Sequence, residues 1–199
     1  MLKKINRKTF LEKYPNFIQA SHYRNKYIIP ETFDSYILYV EAKSTIGLCN
    51  NVSKELTKLL KLLQYENVTF LGDTTTPWLF RQHDYKPVKL GLDYLADNKI
   101  SKSFNGAIEV DIKDLPEFMK HLFWLVRCNG IVTYAHFSDP GFNIMASICQ
   151  YGNIHFSTLN KETDLAFNAA LEKTGLHIST DNNCGGGRIY KRYSTNIPV

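Results

Sequence analysis

Alternating residues between positions 106 and 112 predict a half-buried β-strand. In the stretch GAIEVDI, the aliphatic residues at 108, 110 and 112 fall on one side, and Glu109 and Asp111 fall on the other. A two-residue period of this kind is typical of a strand that buries one face and exposes the other. Further strands are predicted in NVTFLG (67–72), IVTYAHF (131–137), NIMASICQ (143–150), NIHFST (153–158) and LHIS (176–179).

Apolar residues that recur at intervals of three and four predict amphipathic helices. The first helix is capped by Ser53, whose hydroxyl is a favourable N-cap, and its leucines continue to Leu63. The second follows Asp114 and Glu117, which have the spacing of a capping box, and Gly130 ends it. A third helix is predicted in KETDLAFNAALEKTG (161–175).

Residues 1–45 and 73–87 have weaker patterns. KTFLEKYPNFIQ (8–19) suggests a short helix interrupted by Pro15, and SYILYVEA (35–42) fits either a buried strand or a helical turn. The prolines and threonines of DTTTPWLFRQHDYKP (73–87) indicate a loop with a short extended piece around Trp78 to Arg81.

The order of these elements predicts the fold class. Between residues 106 and 179 the order is strand, helix, three strands, helix, strand. We predict an α+β fold, a mainly antiparallel sheet with helices packed on one face, in a single compact domain. No repeat or flexible linker divides the sequence, so the predicted domain is 1–199, with 1–45 as an N-terminal cover or extension and 106–179 as the clearest β-α-β-β-β-α-β core.

The register of the hairpin formed by 143–150 and 153–158 follows from its apolar residues. All of these residues have even numbers: Ile144, Ala146, Ile148, Ile154 and Phe156. Residues opposite each other share a face, so burying all five requires a loop of odd length. We predict the loop 151–153, with Asn153 in the left-handed conformation. In this register Cys149 faces His155, and Ser147 faces Ser157.

The other face of the hairpin carries side chains that could support chemistry. They are Ser147, Cys149, His155 and Ser157, and the polar sides of neighbouring strands would add Glu109, Asp111 and His177. Histidine titrates near neutral pH and can activate a neighbouring thiol. We interpret the face as the solvent-exposed side of the sheet, because one side of such a sheet must be polar.

The alternative is an enzyme that uses this polar face. His155 would act as general acid or base, and Cys149 as nucleophile or spectator. Either Glu109 or Asp111 would orient the histidine. His136 is assigned to neither face, because IVTYAHF is apolar in both registers. Residues from separate strands lack the fixed spacing of a metal motif, so neither a metal site nor a cofactor is predicted.

An aromatic-rich loop, TPWLFRQHDY (76–85), is the strongest indication of a binding surface. Trp, Tyr and Arg are the residues that most often anchor protein interfaces. We therefore predict that a protein partner binds through the following residues: Trp78, Phe80, Arg81 and Tyr85. In the alternative interpretation, Trp78 and Phe80 fill the core and Arg81 is solvated.

A net charge of +5 is concentrated near both ends of the sequence, in MLKKINRK and RIYKRY. Within CGGGRIYKRY (184–193), Arg188, Lys191 and Arg192 alternate with aromatic rings, a pattern that suits a nucleic-acid strand. A phosphate-binding loop would require a helix after the glycines. We therefore favour a flexible turn leading to a C-terminal edge strand, with nucleic-acid binding as the weaker alternative.

The remaining features exclude some classes of function. Four dispersed cysteines, with no CxxC pair and no secretory leader, favour free thiols in the cytoplasm. No apolar run reaches the roughly 18 residues of a membrane-spanning helix, and no catalytic or nucleotide-binding motif is present. The leading hypothesis is a small cytoplasmic protein-binding module, such as an inhibitor or immunity-type protein. The enzyme is second, and nucleic-acid binding is third.

Overall fold

Ten β-strands occur in the part of the chain that the computed structural model describes, which is residues 2–21, 26–72, 74–129, 135–180 and 184. They are β1 (Lys3–Ile5), β2 (Gln19–Ser21), β3 (Lys26–Ile28), β4 (Asp34–Tyr39), β5 (Asn67–Gly72), β6 (Ala107–Asp111), β7 (Ala135–Ser138), β8 (Ile144–Ile148), β9 (Ile154–Thr158) and β10 (His177–Ile178). The strands predicted at 67–72 and 106–112 are confirmed, as are those at 143–150, 153–158 and 176–179.

Eight of these strands form one antiparallel sheet in the order β1-β6-β5-β7-β8-β9-β4-β10, and β2 pairs with β3 separately. Strands β6 to β10 belong to residues 106–179, the segment with the clearest sequence pattern. From residues 1–45 come β1, at one edge of the sheet, and β4, which lies between β9 and β10. The N-terminal part of the chain is thus built into the sheet.

Five α-helices lie within the described ranges: α1 (Arg7–Lys13), α2 (Thr45–Leu62), α3 (Lys86–Asp97), α4 (Leu115–Trp124) and α5 (Lys161–Leu171). A short π-helical segment, Leu125–Asn129, continues from α4. The helices predicted after Asp114 and at 161–175 are confirmed, as are the leucine-rich helix that ends near Leu63 and the short helix expected before Pro15. No element is predicted for residues 88–105, where most of α3 lies. Pro87 occupies the first turn of α3, a position that proline tolerates well because its missing N–H is not needed there.

The main hydrophobic core lies between one face of the sheet and the longer helices. Phe70 of β5 contacts Phe118 of α4 and Phe137 of β7, with ring centroids 4.7 and 4.9 Å apart. Phe156 of β9 stacks on Phe167 of α5 at 4.6 Å. Such buried ring pairs contribute both apolar area and a preferred geometry. The predicted α+β fold with a mainly antiparallel sheet is confirmed, and the longer helices pack on one face as expected, whereas the short helix α1 lies on the other.

A smaller cluster covers part of the opposite face of the sheet. Successive residues of a strand point to opposite faces of the sheet, so the side chains of Leu71, Ala107 and Met145 point away from the main core. They are buried together with Phe10 of α1 and Phe17. Next to this cover, the face also holds buried polar residues, namely Thr69, His136, Ser138 and Ser147. This side of the sheet is therefore only partly exposed to solvent.

Of the two predicted helix caps, Ser53 is wrong, and Asp114 is correct in position but lacks the predicted capping hydrogen bond. Helix α2 begins at Thr45, because the Ser44 hydroxyl accepts a hydrogen bond from the N–H of Gly47 at 3.0 Å. Ser53 lies inside the helix, where its buried hydroxyl donates to the carbonyl oxygen of Cys49 at 2.8 Å. Asp114 precedes α4 but forms no capping hydrogen bond with its side chain. The predicted stop at Gly130 lies outside the described residues.

The extended piece predicted around Trp78 to Arg81 is also wrong. The chain forms a turn there, and the N–H of Phe80 donates to the carbonyl oxygen of Pro77 at 3.1 Å. Aromatic residues favour strands only where a neighbouring strand can pair with them. Here the ring of Trp78 enters the core and the turn carries Phe80 outward.

Candidate thiol and histidine site

The β8–β9 hairpin places the residues of the site. Ser147 pairs with His155 and Ile148 with Ile154. The loop between the strands is therefore Gln150 to Gly152, closed by the N–H of Cys149, which donates to the carbonyl oxygen of Asn153 at 3.0 Å. The loop has three residues, as predicted, but the predicted pairing is wrong by two residues. Cys149 lies opposite Asn153 rather than His155.

The shift in register results from the position of the left-handed residue. Gly152 has a φ of +84°, and its N–H donates to the carbonyl oxygen of Cys149 at 2.9 Å. A turn that ends in a glycine of this conformation is a common three-residue hairpin loop. A Cβ at Gly152 would lie 2.8 Å from Leu48 and 2.9 Å from Phe123. Asn153, predicted to take this conformation, is not among the residues with a positive φ and directly precedes β9.

Cys184 completes a cluster with two residues of the hairpin. Its Sγ lies 3.0 Å from the Sγ of Cys149 and 3.1 Å from Nε2 of His155. One ligand atom from each of these three residues lies within 4.8 Å of the others. We call this group the thiol–histidine cluster. A shift of two residues in the pairing leaves every side chain on the same face of the sheet. Cys149 and His155 therefore share a face as expected, although they are not directly opposite each other.

Asn153 holds Cys184 at the hairpin. Its side-chain amide donates to the carbonyl oxygen of Cys184 at 3.4 Å and approaches the Sγ at 3.6 Å. Cys149 is 4% exposed, whereas His155 and Cys184 are half-buried. The cluster therefore has a closed inner side, formed by Cys149, and a more open outer side, formed by Cys184.

Burial controls the protonation of the cluster. Desolvation, followed by the hydrogen bond with Cys184, raises the pKa of the Cys149 thiol. Desolvation also lowers the pKa of His155, which favours the neutral imidazole. On the same face, burial and then the proximity of His155 lower the pKa of His136 to about 4. Near neutral pH, burial thus favours the uncharged forms of both groups, a neutral His155 imidazole and a protonated Cys149 thiol.

The two predicted carboxylates lie elsewhere on the sheet. Glu109 and Asp111 belong to β6, which is four strand positions from β9, a separation of about 19 Å at about 4.8 Å per strand. Glu109 forms an ion pair with Lys3 at 2.9 Å, and Asp111 lies 3.5 Å from Lys113. Neither carboxylate is close enough to orient His155.

Other residues of the predicted polar face are near the hairpin but outside the cluster. Ser157 shares a hydrogen bond with Ser35 of β4, with their oxygens 2.9 Å apart. His177 of β10 packs against the ring of Tyr39, with centroids 5.4 Å apart. His136 lies beside Ser147, which separates it from His155 in the strand ladder.

The structure separates the predicted aromatic binding residues. Trp78 is only 2% exposed, and its indole N–H donates to the carbonyl oxygen of Gly106 at 2.9 Å. Phe80 and Tyr85 are 68% and 48% exposed, and the rings of Tyr85 and Trp124 form a T-shaped pair with centroids 5.9 Å apart. Arg81 is exposed as well. Trp78 therefore belongs to the core, and the other three residues remain accessible to a partner.

The predicted nucleic-acid residues, Arg188, Lys191 and Arg192, lie outside the described part of the chain. Their role stays a prediction. None of the helices in the described ranges is long and apolar enough to cross a membrane.

Cys184 is the member of the cluster that sequence reasoning missed. The sequence shows it as one of four dispersed cysteines and as the start of a glycine run, 29 residues from His155 and 35 from Cys149. The available signal was indirect: a lone cysteine followed by three glycines, after the strand predicted at 176–179. Glycines allow the chain to turn closely, but they do not indicate which thiol it meets.

Comparison with known proteins does not assign the chain to a family. No protein-family model matches the sequence, and no curated protein or solved structure matches it at a significant level.

The arrangement permits two kinds of chemistry. Two thiols in van der Waals contact can form a disulfide, and a neutral imidazole beside one of them can take up its proton. The same sulfur and nitrogen atoms, converging from different parts of the chain, are ligands that transition metals prefer.

Proposed function

We propose that the protein is a thiol redox protein in which Cys149 and Cys184 alternate between the dithiol and the disulfide. The observation that carries this proposal is the 3.0 Å separation of their sulfur atoms. Both cysteines are free thiols in the structure. Little movement of the chain is needed to bring two such sulfurs to the bonding distance of about 2.05 Å.

The burial of the two thiols supports an order for them in the reaction. Cys184 is half-buried and Cys149 is 4% exposed, so Cys184 is the thiol that an external disulfide can reach. His155 takes the proton of Cys184, and the resulting thiolate attacks one sulfur of the external disulfide. One external thiolate leaves and is protonated, and the other half remains bonded to Cys184.

Cys149 then resolves this mixed disulfide. Its sulfur attacks the Sγ of Cys184, the second external thiolate leaves, and it takes up the proton that Cys149 gives up. In sum, two protein thiols and one external disulfide yield one protein disulfide and two external thiols. The reverse sequence reduces the protein with a dithiol or two monothiols.

The test is the reaction of the reduced protein with oxidised glutathione, followed by intact mass and peptide mapping. We expect one intramolecular disulfide between residues 149 and 184. In Cys149→Ser, the reaction should stop at a glutathione adduct on Cys184. In Cys184→Ser, the remaining thiol should react much more slowly because Cys149 is buried.

Cys128→Ser provides the matched control, since Cys128 is another half-buried free thiol outside the cluster. This variant should form the same disulfide as the wild type. Glutathione that appears mainly on Cys128, or a wild-type protein that keeps both cluster thiols free, would contradict the proposed function.

A second candidate function, a protein-binding module of the inhibitor or immunity type, is supported by the exposure of Phe80 and Tyr85 at 68% and 48%. Exposed aromatic residues are common anchors of protein interfaces. The double variant Phe80→Ala and Tyr85→Ala should then lose partners captured from cell extract. Leu165→Ala, which alters a side chain that is 63% exposed on α5, is the control and should keep them. Equal capture by both variants would oppose this function.

A further inference from the structure

We propose that the reduced thiol–histidine cluster binds one thiophilic divalent metal ion, such as Zn²⁺, through Cys149, His155 and Cys184. This inference goes beyond the proposed function, because it requires the dithiol form but not the redox cycle.

The spacing of the three ligand atoms fits such an ion. Tetrahedral Zn²⁺ with bonds of about 2.3 Å to sulfur and about 2.0 Å to nitrogen places its ligand atoms roughly 3.5–3.8 Å apart. In the structure, Sγ of Cys184 lies 3.0 Å from the other sulfur and 3.1 Å from Nε2 of His155, and all three atoms lie within 4.8 Å. Small rotations of the cysteine side chains would therefore produce the required geometry.

The types of ligand indicate the class of metal. Two sulfurs and one imidazole nitrogen suit Zn²⁺ and Co²⁺, whereas Mg²⁺ and Ca²⁺ prefer oxygen ligands. Two thiolates and a divalent cation also sum to zero charge. A neutral complex is compatible with Cys149 at 4% exposure, since burying an unbalanced charge there would be costly.

The cluster resembles an open coordination site more than a closed one. Within the described residues, three ligand atoms converge at this point, and Cys184, on the outer side, is half-buried. Structural zinc sites use four protein ligands, whereas sites with three leave a position for water or another small ligand. A metal held by these three atoms alone would keep a position for water or another small ligand.

The ligands also come from two segments that are distant in sequence. Cys149 and His155 belong to the β8–β9 hairpin, and Cys184 follows β10. An ion bound between them would join the chain after β10 to the sheet. Metal binding should therefore raise the thermal stability of the reduced protein.

The experiment is a titration of the fully reduced wild-type chain with Co²⁺ under anaerobic conditions, followed by competition with Zn²⁺. We expect one Co²⁺ to bind per chain and to give the sulfur-to-cobalt charge-transfer absorption that thiolate ligands produce. This absorption should disappear when Zn²⁺ is added. An excess of Mg²⁺ should not displace the bound Co²⁺. Absence of the charge-transfer band in the wild type would overturn the proposal.

Conservative variants identify the ligands. Cys149→Ser, Cys184→Ser and His155→Gln should each weaken Zn²⁺ binding by at least about tenfold, a loss that even an outer-shell substitution commonly causes. Cys128→Ser should bind as the wild type does. Circular dichroism in the presence of a chelator establishes that each variant is folded. Folded cluster variants with wild-type affinity would overturn the proposal.

His155→Gln separates this inference from the redox function. The variant retains both thiols, so it should still form the 149–184 disulfide with oxidised glutathione, though more slowly, while its Zn²⁺ affinity falls. A protein that forms the disulfide but binds no metal would refute only the metal site. A protein that binds metal but resists oxidation would refute only the redox function.

Discussion

Trp78 donates its indole N–H to the carbonyl oxygen of Gly106 at 2.9 Å and thereby joins the turn before α3 to the chain that enters β6. The N–H of Trp78 also donates to the carbonyl oxygen of Phe104 at 3.0 Å. Two hydrogen bonds and a buried ring thus fix one end of the aromatic-rich loop, and the exposed Phe80 and Tyr85 project from a rigid base.

Replacing Trp78 by phenylalanine should reduce stability. The substitution removes the indole donor and leaves the Gly106 carbonyl without it in a buried environment, which costs about 1–3 kcal/mol. Urea unfolding followed by circular dichroism measures the difference. Phe80→Ala is the control and should change the free energy of unfolding by no more than about 0.5 kcal/mol, because Phe80 is 68% exposed. Equal losses for the two variants would contradict the assignment of Trp78 to the core.

Alanine at Gly152 should destabilise the hairpin that carries the cluster. The left-handed φ of +84° alone costs a residue with a Cβ about 1–2 kcal/mol. The added methyl would also press on Leu48 and Phe123 of the core. We expect a lower thermal midpoint and slower formation of the 149–184 disulfide. A Gly152→Ala variant as stable as the wild type would show that the turn can adopt another conformation.

Asp139 should contribute strongly to stability through the turn before β8. Its buried carboxylate accepts hydrogen bonds from the backbone N–H groups of Gly141, Asn143 and Ile144, and from the side-chain amide of Asn143. Hydrogen bonds to a charged group contribute about 1.5–3 kcal/mol each. Asp139→Ala should therefore lose at least about 3 kcal/mol in urea unfolding.

Asp139→Asn is the matched variant for this prediction. The asparagine side chain keeps one acceptor oxygen, so the free energy of unfolding of this variant should lie between those of the wild type and the alanine variant. An alanine variant within about 1 kcal/mol of the wild type would show that the surrounding N–H groups find other acceptors.

Glu55 should make stability depend on pH in the acid range. Burial would raise the pKa of its carboxyl, but the N–H of Gly175, donated at 2.8 Å, and the charges of Lys54 and Lys58 outweigh burial and hold this pKa below its usual value. The unfolded chain therefore takes up a proton more readily than the folded chain. The stabilisation from Glu55 is complete above pH 4.5, the pKa of an unperturbed Glu, and is lost as the pH falls through the folded-state pKa.

Glu55→Gln isolates this effect. The difference in free energy of unfolding between the wild type and the variant should shrink as the pH is lowered from about 6 to about 3. Urea titrations across this interval give the difference directly. A difference that stays constant with pH would contradict the shifted pKa.

Local patterns were sufficient for most of the sheet and for four of the five described helices, although the predicted start of α2 was too late in the sequence. In GAIEVDI and NVTFLG, residue alternation or apolar runs reflect burial by neighbours on one or both faces, so each strand could be recognised alone. Helix α3 was missed because Pro87 and Gly91 weaken helix propensity. In the structure, Pro87 occupies the first turn, and Gly91 packs where a Cβ would lie 3.2 Å from Leu125.

The site depended on information that local patterns do not contain. Both Cys149 and His155 have odd numbers, which placed them on one face of the hairpin. The pairing depended instead on which loop residue takes the left-handed conformation, and this residue is Gly152 rather than Asn153. Cys184 reaches the cluster through the path of the chain after β10, which no periodicity encodes. Likewise, Trp78 has the composition of an interface residue, and only the packing of the core determines that it is buried.

The position of β4 has a consequence for how the protein is made. Strand β4 pairs with β9, and Ser35 and Ser157, which share a hydrogen bond, are 122 residues apart in sequence. At synthesis rates of about 5–20 residues per second, the ribosome completes β4 roughly 6–25 seconds before it completes β9. Until then the nascent chain carries an unpaired strand, DSYILY, that is rich in aromatic and branched residues and prone to pair with other chains. The yield of folded protein in a cell therefore depends on how well this strand is shielded during translation.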